Sequence, residues 1–76
     1  MVLTTRKERE KEARREEILD AAQRVFGRKG YQATSMEEVA KEAEFSKGTL
    51  YSYFDSKFAL FAELSNRVLS LVLAGF

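Results

Sequence analysis

The sequence predicts an all-α fold, a helical bundle of about four helices, and three observations carry that expectation. Proline is absent and glycine occurs only four times in 76 residues, while Ala, Glu, Lys, Arg and Leu, all strong helix formers, are abundant. Apolar residues return at three- and four-residue intervals, the spacing that lines one face of a helix. Serines stand immediately ahead of the later runs, where a hydroxyl can accept the first free backbone N–H groups of a helix.

Helix one is expected from about Arg6 to Lys29, with Ile18, Leu19, Ala22, Val25 and Phe26 as its apolar stripe. Arg28 and Lys29 followed by Gly30 form a stop signal, because cations suit the negative end of the helix dipole and glycine accepts a left-handed backbone. Gly27, inside the last turn, costs roughly 1 kcal/mol relative to alanine. Residues 31–34 form a short connector. Ser35 with Glu38 three residues on is a capping box that opens helix two, whose Val39, Ala40 and Ala43 face inward. Glu44 and Phe45 make a turn. Ser46 then caps helix three, about Lys47 to Phe54, with Leu50 and Phe54 as its inward pair. Asp55 and Ser56 end it, and Ser56 caps helix four, from Lys57 to about Ala74, with Phe58, Phe61, Leu64, Val68, Leu71 and Val72 as the expected apolar face.

Composition narrows the function. The chain contains neither cysteine nor histidine, so thiolate metal sites, disulfides and the usual general base are absent. Catalysis is therefore not expected, nor are a metal or a cofactor. The formal net charge of +1 does not announce a polyanion partner by itself. Residues 1–16, however, hold six basic side chains (Arg6, Lys7, Arg9, Lys11, Arg14 and Arg15) against four glutamates. That run reads either as a solvated helix start or as a basic arm touching phosphates. The charged N-terminus does not resemble a secretion signal, and the apolar stretch from Leu69 to Phe76 is far short of a membrane span. The expected setting is soluble and cytoplasmic.

The chemistry concentrates in residues 34–57. Two helices crossing steeply need a small residue at their approach, which Ala40 supplies, and a turn four residues later, where glycine is often preferred. Glu44 stands there instead, so a left-handed turn would cost about 1 kcal/mol. Phe45 and Leu50 should anchor the second helix in the core. Its outward face then carries Lys47, Gly48, Thr49, Tyr51 and Ser52, which is how a helix-turn-helix presents side chains to a major groove. Gly48 would let backbone approach DNA, or is a tolerated helix-start glycine. Thr49 could hydrogen-bond a base or offer its methyl to thymine. Tyr51 and Tyr53 pair a packing ring with a hydroxyl that can reach phosphate, and Tyr53 also suits the core. Lys47 and Lys57 each follow a cap serine, where the helix dipole disfavours a cation by roughly 0.3–1 kcal/mol. A phosphate brought to that place reverses the sign.

The runs Ile18-Leu19-x-Ala21-Ala22-x-x-x-Phe26-x-x-x-Gly30-Tyr31-x-x-Thr34-Ser35, then Val39-Ala40, then Ser46-Lys47-Gly48-Thr49-Leu50-Tyr51-x-Tyr53-Phe54-x-Ser56-Lys57-x-x-Leu60 resemble the N-terminal domain of TetR/AcrR-type transcriptional regulators. The resemblance covers residues 14–64, and its Gly-Thr-Leu-Tyr-x-Tyr-Phe-x-Ser-Lys portion is highly specific. It implies a homeodomain-like three-helix core plus the start of helix four, with the helix-turn-helix at 35–54. It implies DNA contacts from Thr34, Ser35, Lys47, Gly48, Thr49, Tyr51, Tyr53 and Lys57, with Tyr31 as a further phosphate contact. It also implies a homodimeric repressor on a palindromic operator, and a C-terminal domain, absent from this sequence, that holds the dimer interface and a small-molecule inducer. On this reading residues 1–13 are a charged extension of helix one, and residues 65–76 continue helix four toward that domain. Two positions depart from the family pattern, Glu44 for the turn glycine and Phe58 for the usual acidic residue. The rival reading is a helical interaction module for a partner helix or an anionic membrane surface, motivated by the basic arm and the apolar end.

Overall fold

A computed structural model describes residues 5–75; residues 1–4 of the expected N-terminal extension and Phe76 of the expected C-terminal continuation lie outside the described residues. Four helices follow one another within that span: α1, Arg6–Lys29; α2, Met36–Ala43; α3, Lys47–Tyr53; and α4, Lys57–Leu73. Each begins at a hydroxyl cap. Thr5, Ser35, Ser46 and Ser56 are all extended, and each side-chain oxygen accepts the backbone N–H three residues on. Thr5 with Glu8 and Ser35 with Glu38 close full capping boxes, in which the glutamate accepts the cap residue's own N–H.

The stops are equally local. Gly30, at φ 82°, ends α1 while its N–H donates to the Phe26 carbonyl. α2 ends in a left-handed residue, and that residue is Glu44, at φ 62° and ψ 37°. The Phe45 N–H reaches back to the Ala40 carbonyl at 2.9 Å and the Glu44 N–H to Lys41 at 3.1 Å. This pair of bonds is the Schellman arrangement, which satisfies the last carbonyls of α2 and turns the chain sharply. The turn thus keeps the shape that favours glycine and carries the backbone strain of a side chain, about 1 kcal/mol.

The core is assembled from all four helices. Ile18, Leu19, Ala22 and Val25 of α1 meet Met36, Val39 and Ala40 of α2, Leu50 of α3, Phe54 just after it, and Leu60 and Leu64 of α4. Ile18, Val39, Leu50 and Leu60 have no solvent exposure. Phe54 belongs to this core, but as an extended residue that closes α3 rather than as its last turn. Ion pairs flank the core. Arg24 and Arg28 each reach Glu42 at 2.9 Å, and Lys29 pairs with Glu38, which ties α1 to α2. Arg15 meets Glu63 at 2.8 Å and Arg67 meets Asp20 at 2.7 Å, which ties α1 to α4.

The inner face of α4 differs from the periodicity reading. Leu60 and Leu64 are the buried pair, whereas Phe58 is 69% exposed and Val68, Leu71 and Val72 are at least half exposed. At 100° per residue, Phe58 stands about 200° from Leu60, on the opposite side of the helix. A helix apolar on most sides offers several faces to a pattern search, and the position of α1 selects one.

Candidate nucleic-acid interface

The residues proposed to touch DNA sit at the starts of α2 and α4, along α3 from Lys47 to Tyr53, and in the connector before α2. A run of contacts joins these places. The Lys57 ammonium donates to the Tyr31 carbonyl at 2.9 Å and stands 4.3 Å above the Tyr31 ring centre. That ring packs on Phe26 and edge-on against Phe61, with centroids 5.8 and 5.0 Å away. The connector then folds back: the Thr34 N–H donates to the Tyr31 carbonyl at 3.2 Å. Ser35 follows as the exposed cap of α2. Two residues further on, the Glu37 carboxylate accepts a bond from the Lys47 ammonium at 3.1 Å, which links the first turns of α2 and α3. Tyr51, 41% exposed, stands one turn beyond Lys47 on the same side of α3.

The lysines at helix starts are therefore real features of the fold, at the first positions of α3 and α4. Each has found an internal partner that offsets the unfavourable dipole, a carboxylate for Lys47 and a carbonyl with an aromatic face for Lys57. The hydrogen bond and charge of Glu37 hold the Lys47 ammonium above its usual value of 10.5.

Three other sites are placed less simply. Thr34 is 3% exposed, and its hydroxyl donates to the Gly30 carbonyl at 2.8 Å. Its side chain thus serves the turn after α1 and leaves the adjacent Ser35 outside. The Tyr53 hydroxyl accepts a bond from Arg14 Nε at 2.9 Å, and its ring packs partly against the core. Its own hydroxyl proton remains available to an outside acceptor. Thr49 is half-buried, and its hydroxyl oxygen accepts from Ser46 at 2.9 Å.

Gly48 is exposed in the first turn of α3, and a Cβ there would meet nothing among the described residues nearer than Ser46 Oγ at 4.0 Å. Its backbone is not in the left-handed region either. Among the described residues, neither packing nor backbone geometry requires the glycine.

Sequence reasoning passed over two contributors to this surface. Glu37 reads locally as a favourable acid at a helix start, and only the crossing of α2 and α3 brings it to Lys47 ten residues later. Arg14 reads as one more member of the basic run, and only the packing of α1 on α3 delivers it to Tyr53. No local pattern marks either pairing.

The sequence model described as "Bacterial regulatory proteins, tetR family" matches residues 18–64, more than half of the chain. The uncharacterized HTH-type transcriptional regulator YuxN of Bacillus subtilis is 47% identical over 49 residues, covering 64% of this chain and 17% of that protein. YfiR of the same organism, also an uncharacterized HTH-type transcriptional regulator, is 44% identical over 54 residues, covering 71% and 26%. The crystal structure of a TetR-family transcriptional regulator, HI0893 of Haemophilus influenzae, superposes with a TM-score of 0.75 at 38% identity, covering 84% of this chain and 35% of that one. The chain thus spans about a third or less of the length of these relatives. The Ser35 capping box, the Schellman turn, the buried Leu50 anchor and the Ser56-capped start of α4 all lie inside the matched segment, and the chain belongs to the TetR family of bacterial regulatory proteins.

Proposed function

We propose that this chain is the DNA-reading part of a ligand-responsive cytoplasmic repressor that binds a palindromic operator as a homodimer. Gly48 is the observation that carries the reading. A helix loses roughly 1 kcal/mol by having glycine in place of alanine, and nothing among the described residues asks for it. A backbone that must come close to a partner does. The flanking side chains suit double-stranded DNA. Thr49 and Tyr51 offer hydroxyl and methyl groups to base edges, and Ser35 stands exposed at the cap of the neighbouring helix. Lys57 suits a phosphate, because one bond to Tyr31 leaves its ammonium two further donors. Tyr31 and Tyr53 serve the same backbone by fixing Lys57 and Arg14. Thr34 contributes by holding the turn that presents Ser35.

The dimer and the inducer pocket belong to the part of the family's architecture beyond this segment. Support comes from α4. An open groove between α1 and α4 is lined by Phe26, Phe61, Val68, Leu69 and Val72, and Leu71 and Leu73 are also exposed beyond it. A contiguous apolar strip of this kind marks a surface that another layer covers. No helix among the described residues is long and apolar enough to cross a membrane.

Gel shifts with a duplex selected from a random pool and with an unrelated duplex test the reading. Binding should favour the selected duplex and weaken steeply with salt as counterions are released. Lys57→Ala should weaken both duplexes alike and reduce the salt slope by about one. Equal affinity of the protein for selected and unrelated duplexes would overturn the proposal.

A further inference from the structure

The ion pair between Glu37 and Lys47 lies among the residues proposed to face DNA. It joins the first turns of two different helices, and both partners remain open, with side-chain exposures of 73% for Glu37 and 56% for Lys47. A carboxylate on a surface offered to a polyanion repels phosphates and neutralises the very cation that would attract them. As a phosphate clamp, Lys47 is thus spoiled by its partner, whereas Lys57, held by a carbonyl and a ring, is not.

The pair has another use. It presents a donor and an acceptor side by side, with Nζ and Oε1 3.1 Å apart. In the major groove a G·C pair presents the complementary set: the guanine O6 and N7 acceptors beside the cytosine N4 donor. O6 and N4 are themselves joined by a Watson–Crick hydrogen bond, so they stand about 3 Å apart. Lysine donates to guanine O6 and N7, and glutamate accepts from cytosine N4. One bond to Glu37 leaves the ammonium two donors for guanine, and the carboxylate retains free lone pairs for cytosine. A T·A pair also sets an acceptor, thymine O4, beside a donor, adenine N6, but it puts a methyl group against the charged pair where guanine offers N7.

We propose that Glu37 and Lys47 act as one reading unit for a single G·C base pair in the operator, and that Glu37 is a specificity-determining residue which also suppresses binding to unrelated DNA. This deepens the DNA-binding reading and rests on it. Glu37 penalises any complex in which it faces phosphates or an unmatched base edge, and the matched pair removes that penalty.

Selection of duplexes from a random pool, run in parallel on the protein, Glu37→Ala and Lys47→Ala, tests the assignment. The protein should enrich a site with one fixed G·C pair per half-site. Both variants should lose preference at that same position, by about five- to 150-fold in discrimination, and keep it elsewhere. Glu37→Ala should also bind unrelated duplex more tightly than the protein does. The idea is overturned if Glu37→Ala enriches an unchanged site, if the two variants lose different positions, or if preference weakens evenly across the site. Those failures leave DNA recognition standing. Failure of the unaltered protein to enrich any sequence would remove the DNA-binding reading and this inference together. Thermal melts of both variants, altered only at exposed positions, check that the fold is intact.

Discussion

α3 and the distal half of α4 are both poorly covered by the rest of the molecule, yet they expose opposite chemistry. α3 is seven residues long and buries Leu50 alone, leaving Lys47, Gly48, Tyr51 and Ser52 outward. The distal half of α4 exposes Val68, Leu69, Leu71, Val72 and Leu73, each at 50% or more. Polar and glycine surface costs little in water, whereas a run of leucine and valine facing solvent forgoes the burial that would stabilise it by roughly 25 cal/mol per Å². The first region is a surface that can stay open while it waits for a polar partner. The second is a surface that apolar cover would stabilise. The helices also differ in support: α3 is pinned by one anchor and a frame built from α1 and α2, while α4 is held through Leu60 and Leu64 in its first half.

The sharpest way to break this contrast is to remove the α3 anchor. Leu50→Ala empties a fully buried site and should destabilise the protein by about 2–5 kcal/mol, read as a drop in urea midpoint with DNA binding lost alongside. Little change in midpoint would mean that α3 does not depend on its anchor. Acid tests the frame beside it. Glu42 is held below the ordinary carboxyl value of 4.5 by hydrogen bonds from Arg24 and then Arg28, and Glu38 is held below it by Lys29. A lowered folded-state value means that the unfolded chain binds protons first as pH falls. The stabilisation is whole above 4.5 and is lost as pH drops from there through the lowered values. Melting temperature should fall below about pH 4.5 for this reason, and the acid-induced fall should be smaller in Glu42→Gln; an identical fall in that variant would assign the loss to other groups.

Gly48→Ala sharpens the comparison from the outside. The new methyl meets only Ser46 Oγ at 4.0 Å, so stability should rise by up to about 1 kcal/mol while DNA affinity falls. Unchanged affinity would mean that close approach of backbone to DNA is not what the glycine serves. The smallest effect is expected at the other end. Leu69→Lys, at a position 54% exposed, should change the stability of this chain by no more than about 0.5 kcal/mol, checked by thermal melting. A large loss would show that the distal strip is already covered in solution.

Much of the fold could be read without coordinates because its signals are local. A cap hydroxyl followed three residues later by an N–H, as at Ser35, Ser46 and Ser56, is satisfied within one turn wherever the helix ends up. The stop at Gly30 and the capping box with Glu38 are of the same kind. The distal apolar strip shows where that legibility ended. Its residues are as apolar as those of the core, and periodicity cannot tell a face that meets α1 from one that meets nothing in this chain. Phe58 and Leu60 changed places for that reason.

The candidate surface divides along the same line. The residue types that could meet DNA, and their places at the first turns of helices, were written in the order of Ser46, Lys47, Gly48 and Thr49 and of Ser56 and Lys57, because capping and dipole effects act over a few residues. What the candidate residues hold across the fold was decided by packing. Thr34 turned inward to Gly30, Tyr53 took Arg14 from 39 residues away, Lys57 settled on Tyr31, and Lys47 found Glu37. Side-chain hydrogen bonds reach about 3 Å, so a partner distant in sequence exists only once the core has set the angles between the helices. Where each helix begins and which chemistry it offers follow from neighbouring residues; which groups pair between helices and which side of α4 is buried follow only from how the helices pack.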